Sequence, residues 1–197
     1  MSERDLIRTL YKKGAITVTD TTDGPEIDCL LRNVIYDDVF LRNCVASAYR
    51  RTLDKIYHGR NSNTHKYSGS QRYNVIGMAR SIAPIMGMLR CPIVTLLPET
   101  LETDHELIHG HIVPDSPHVI VDDVLRTGAS ILSTLAYWIR RRYLIDNIVV
   151  FTSTGQGGYE LIKHAFPAIT EEYLGVRRDI EIHVIAPHKK IIASLAT

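Results

Sequence analysis

The sequence predicts an α/β fold: a mainly parallel sheet flanked by helices, with a small N-terminal hood. Two observations carry that prediction. From Tyr73 onward, short β-branched runs alternate with single helical segments, the pattern of a parallel sheet covered on both faces. Within that alternation, His118 to Ser130 (HVIVDDVLRTGAS) reads as a strand, an acidic pair, a turn and the start of a helix. A chain of 197 residues with 45% hydrophobic and 23% charged residues suits one domain with a sizeable core.

Taken in order, Glu3 to Lys13 reads as a helix, with Leu6, Ile7, Leu10 and Tyr11 on one face and Gly14 as its stop. Ala15 to Val18 suits a short strand, Asp20 to Pro25 is turn-rich, and Ile27 to Val34 suits a second strand. Residues 1–35 are too few to bury a core alone and are expected to form a hood on an α/β core of residues 36–197. Asp37 to Tyr57 carries apolar residues at helical spacing, whereas His58 to Arg72 is polar and reads as a surface loop. Then follow a strand (Val75 to Met78), a helix (Ile82 to Arg90), a strand (Pro92 to Leu97) and a loop or irregular hairpin (Pro98 to Pro114). After the central strand and its helix (Ile131 to Ile139) come a strand (Asn147 to Phe151), a helix (Gly158 to Phe166) and a strand (Ile180 to Ala186). In such a sheet the ligand site is expected at the carboxyl ends of the strands.

The central segment carries chemistry. Val119, Ile120 and Val121 form a buried-strand pattern, with Asp122 and Asp123 at its end. Arg126, Thr127, Gly128, Ala129 and Ser130 then lead into a helix, whose free N–H groups and dipole favour a phosphate. The carboxylates suit a vicinal diol and a divalent cation. Phosphate and diol at one site point to a ribose 5-phosphate. Ala79, Arg80 and Ser81 lie at another expected strand-to-helix junction and could hold a diphosphate.

This segment resembles the signature for phosphoribosyl pyrophosphate in type I phosphoribosyltransferases: apolar residues, two acids, a short spacer, then Thr-Gly-Gly/Ala-Thr/Ser. Four other stretches resemble the orotate branch of that family: DLIRTLYKKGAI at the start, Glu26 to Arg32, Tyr73 to Val94, and IVVFTSTGQGG from Ile148. The resemblance implies transfer of ribose 5-phosphate between phosphoribosyl pyrophosphate and a nucleobase, with Mg²⁺ held at Asp122 and Asp123, in a cytoplasmic homodimer. It places Ser153, Thr154 and Gly155 beside the base.

The chain also departs from that branch. The stretch LPETLETDHELIHGH, where those enzymes carry a basic loop, has four acidic residues and no Lys or Arg. No Lys or Arg lies in Thr19 to Cys29 or in Thr152 to Gly158, so orotate is expected to be a poor substrate. The acidic loop also admits a non-catalytic protein that binds phosphoribosyl pyrophosphate or a nucleotide, as a regulator or partner subunit.

His105 to His109 matches the zinc-protease pattern H-E-x-x-H, but Gly110, Pro98 and Pro114 suit a polar loop better than a buried helix. Arg140, Arg141 and Arg142 are expected at a solvated helix end, and Tyr137 and Trp138 in packing. A net charge of +1 gives no electrostatic case for nucleic acid or an acidic membrane, and Cys29, Cys44 and Cys91 have no paired spacing. No apolar run reaches membrane length.

Overall fold

Alternating apolar residues divide the chain into two buried layers, one on each face of a sheet. Val119 and Val121 join one layer and Ile120 the other, and the same alternation recurs at Val149, Phe151 and at Ile148, Val150. The computed structural model describes residues 1–57, 73–89, 93–97, 106–110, 116–154 and 157–196. The polar stretch 58–72, Cys91, His105 and most of the acidic segment lie outside the described residues.

The first helix, α1 (Glu3–Lys12), begins where the Ser2 side chain accepts a hydrogen bond from the Asp5 amide. It ends at Gly14, whose φ of +73° allows Gly14 N–H to reach Tyr11 O and Ala15 N–H to reach Leu10 O. Strands β1 (Ile16–Thr21) and β2 (Gly24–Cys29) form an antiparallel hairpin closed by Thr22 and Asp23. The ladder therefore extends through the stretch expected to be turn. Pro25 is tolerated because the hairpin is a separate two-stranded sheet in which both strands are edges.

The second strand is shorter than expected. Residues 32–35 form a helical turn, α2 (Arg32–Ile35), which buries Val34 and Ile35. Leu31, Val34 and Ile35 fall at i, i+3 and i+4, a helical signal that the β-branched character of the run obscured. Helix α3 (Val39–Tyr57) follows as expected, with the Asp38 side chain accepting from the Leu41 amide.

The main sheet has six strands: β3 (Asn74–Met78), β4 (Ile93–Leu97), β5 (Glu106–Gly110), β6 (His118–Leu125), β7 (Ile145–Ser153) and β8 (Glu181–Val184). Their spatial order is β5-β4-β3-β6-β7-β8, and every neighbouring pair is parallel except β4 with β5. Helices α4 (Ala79–Met86), α5 (Ala129–Arg140), α6 (Gly157–Leu174) and α7 (His188–Leu195) complete the fold. Helix α7 has no counterpart among the elements expected from the sequence. Residues of α5 and α6 pack in one layer. Residues of α1, the hairpin, α3, α4 and α7 share the other, so the N-terminal segment draws on the same core as the sheet. Among the described residues, no helix is long and apolar enough to cross a membrane.

Within Pro98 to Pro114, expected as a loop or irregular hairpin, residues 106–110 form a strand antiparallel to β4, so Glu106 and His109 do not lie on a helix as an H-E-x-x-H zinc site requires. One expectation needs correcting. The pair Asp122-Asp123 does not end its strand, because β6 continues to Leu125. The arginine run lies where expected. Arg140 sits over Tyr173 and Arg141 over Tyr137, at the C-terminal end of α5, and Trp138 is buried.

Tyr49 of α3 ties these layers to the end of the sheet. Its ring is fully buried against Phe151, and its hydroxyl donates to the carbonyl oxygen of Asp122 at 2.7 Å. Tyr49→Phe keeps the ring and leaves that carbonyl without its phenol, so urea denaturation should show a loss of about 1–3 kcal/mol. An unchanged midpoint would mean the bond contributes nothing.

Candidate functional site

The site is built where β6 gives way to α5. Asp122 and Asp123 are 8% and 4% exposed, and Asp122 Oδ1 accepts from the Asp123 amide at 2.9 Å. Their charge is felt locally. Burial pushes the Tyr49 phenol well up, and the Asp123 carboxylate, Cys29 and Asp122 add to the shift. Burial likewise raises the Cys29 thiol, with Asp123 and Asp28 contributing. The acidic pair therefore lies against the end of the hood strand β2.

Beyond Leu125 the chain turns through Arg126 and Thr127, both exposed, to Gly128 at φ +77°. Gly128 caps α5, and its carbonyl accepts the helix bond from Leu132 at 2.8 Å. Amides 129–131 thus precede the first intrahelical bond, and point where an anion is favoured. Ala129 and Ser130 are exposed within the first turn of α5, so Ser130 is not its cap. Thr127 Oγ1 lies 3.4 Å from the Ala129 amide, a long contact that leaves the hydroxyl available.

Two glycines hold this turn in place. A Cβ on Gly158, near the start of α6, would lie 2.5 Å from the Arg126 carbonyl oxygen and 3.0 Å from Gly128 N. A Cβ on Gly128 would lie 2.9 Å from the Gly158 carbonyl oxygen. The turn and the start of α6 therefore meet backbone to backbone. Thr154, just past β7, adds a bond from its amide to Leu125 O at 3.0 Å. Ser153 is half-buried opposite Leu125, and Gly155 lies outside the described residues.

The hood closes the other side. The Arg126 guanidinium, expected in the phosphate-binding turn, pairs with Asp28 of β2. Between hairpin and turn lies a cavity of about 640 Å³ whose walls include Arg126, Thr154, Asp28 and His188. Asp28 and His188 were missed, since neither sits in a motif and both are far from Arg126 in sequence. Arg80 and Ser81 fall inside the first turn of α4, next to β6 through β3, rather than in a junction before the helix. Their side chains lie outside the described set. Among the described residues, no group of three or more His, Cys, Asp or Glu side chains could hold a metal.

Gly158→Ala should displace the turn, lowering stability by about 1–3 kcal/mol, and should weaken any ligand seated there. Gly157→Ala, whose Cβ meets nothing within 4 Å, is the matched control and should be neutral or slightly stabilising. Equal melting temperatures for the two variants would contradict the backbone contact.

No family model and no curated protein matches the sequence. Solved structures do. Orotate phosphoribosyltransferase from Aeropyrum pernix is 22% identical, with a TM-score of 0.56 over 97% of this chain and 98% of that one. The Mycobacterium tuberculosis orotate phosphoribosyltransferase, solved with 5-phospho-α-D-ribosyl 1-diphosphate, is 12% identical, with a TM-score of 0.57 over 95% and 97%. Adenine phosphoribosyltransferase from Saccharomyces cerevisiae is 13% identical, with a TM-score of 0.53 over 92% and 98%. At such identities the likeness is one of architecture: the chain has the type I phosphoribosyltransferase fold.

Proposed function

We propose that this protein binds phosphoribosyl pyrophosphate and transfers its ribose 5-phosphate to or from a nucleobase. The observation that carries the reading is the left-handed Gly128 turn at the start of α5, set beside a buried acidic pair and an open cavity. The Thr127 hydroxyl and amides 128–131 bind the 5-phosphate, with Arg126, Ala129 and Ser130 completing the turn. Asp122 and Asp123 accept the ribose hydroxyls and stabilise positive charge developing at the sugar as diphosphate leaves. The backbone at Arg80 and Ser81, in the first turn of α4, receives the diphosphate. Ser153, Thr154 and Gly155 flank the base.

Two adjacent carboxylates without a third described ligand fit Mg²⁺, which keeps waters and takes substrate oxygens as ligands. When bound, it supplies charge neutralisation for the diphosphate. The reading includes a homodimer in a reducing cytoplasm, in keeping with free Cys29 and Cys44. The acidic, Lys- and Arg-free segment 97–111 supports a second reading, a regulator that binds the same ligand without turnover.

Diphosphate release with phosphoribosyl pyrophosphate, Mg²⁺ and a panel of bases separates the two, since the regulator binds and releases nothing. Replacing both carboxylates, Asp122→Asn with Asp123→Asn, should remove most calorimetric binding of phosphoribosyl pyrophosphate while the circular dichroism spectrum is retained. Unchanged affinity in a folded double variant would reject the assignment.

A further inference from the structure

The sequence contains no cation within the hairpin or the stretch after β7, yet the fold brings one there. Arg126 reaches across to β2, where Asp28 accepts it. Resting on the phosphoribosyl reading above, we propose that Asp28 sets the class of base: by holding Arg126 it reserves the cavity for a neutral base bearing an exocyclic amino group, and excludes a carboxylated one.

The walls of the cavity support this. Its volume suits a small ligand, and it lies between the hairpin and Thr154, adjoining the turn assigned to the phosphate. Alternation along β1 puts the threonines at 17, 19 and 21 on the cavity side, and Thr154 adds a fourth hydroxyl. Among the described residues, three carboxylates (Asp23, Glu26 and Asp28) line it against one guanidinium. His188 is the other titratable group there, and its Nε2 lies 2.8 Å from Pro25 O, so that nitrogen is occupied as a donor. With Arg126 paired, the lining is rich in acceptors and carries an excess of negative charge. An amino group finds partners there. A ligand carboxylate would have to displace Asp28 from the guanidinium and then sit beside three like charges.

Asp28 is suited to a test because its substitution can remove charge alone. Its Oδ1 also accepts the Cys29 amide at 2.8 Å, a bond that the side-chain oxygen of Asn retains. The side chain is also nearly half exposed, so Asp28→Asn should fold normally. Equilibrium dialysis with adenine and with orotate, each in the presence of unreactive ribose 5-phosphate, reads the discrimination directly. The wild-type protein should bind adenine at least ~10-fold more tightly than orotate. Asp28→Asn should narrow that ratio at least ~10-fold, mainly by tightening orotate, while Asp28→Glu should preserve the original order. A preference for orotate in the wild type, binding of neither base, or a ratio unmoved by Asp28→Asn would overturn the proposal. Ribose 5-phosphate binding, measured in the same dialysis, separates the two readings: where it persists, the phosphate seat stands and only the base assignment falls. Absence of ribose 5-phosphate binding would overturn both.

Discussion

The backbone contact between Gly128 and Gly158 is the constraint on which the rest of the site depends. Parallel strands leave β6 and β7 pointing the same way, and each is followed by a helix on the same face of the sheet. Their two connections must therefore pass each other at the sheet's carboxyl edge. Side chains at either glycine would hold them apart, since a Cβ on Gly158 would meet Arg126 O at 2.5 Å and one on Gly128 would meet Gly158 O at 2.9 Å. With no side chains there, the turn after β6 closes down, Gly128 takes φ +77°, and the first amides of α5 are presented together. The acidic pair is fixed from the other face, through the Tyr49 hydroxyl on Asp122 O. This packing brings the first amides of α5 and the carboxylates of Asp122 and Asp123 to one edge of the sheet.

Much of this was legible in the sequence where local order and chemistry coincide. His118 to Ser130 disclosed strand, acids, turn and helix in sequence, because each rests on neighbouring residues. The alternation of strands and helices likewise gave the parallel sheet. Misreadings arose where one local signal masked another. Leu31, Val34 and Ile35 carried helical spacing inside a β-branched run and became α2. Asp20 to Pro25 looked like turn but pairs as a hairpin, because Thr22 and Asp23 alone suffice to reverse the chain. His105 to His109 matches a helical metal motif in letters only, and the loop or irregular hairpin expected there contains a strand, 106–110, paired with β4.

The pairing of Arg126 was illegible for a different reason. Its partner Asp28 is remote in sequence, and no local pattern links a turn after β6 with a hood strand. Segment by segment the sequence shows no cation there, whereas the fold brings Arg126 to the cavity wall. A guanidinium is present, and a neighbouring carboxylate holds it. Charge at such a site is a property of contacts, and a sequence tally reports it only when both members of a pair lie close together.

The central claim is that the turn preceding α5 is a phosphate seat. Backbone amide chemical shifts, followed by nuclear magnetic resonance while ribose 5-phosphate is titrated into the protein, test it most directly. The account predicts that the largest saturable shifts fall on residues 127–131, with smaller ones at Gly157 and Gly158 across the backbone contact. Saturable shifts confined to another helix start, such as that of α7, or no saturable shifts at 127–131, would contradict it.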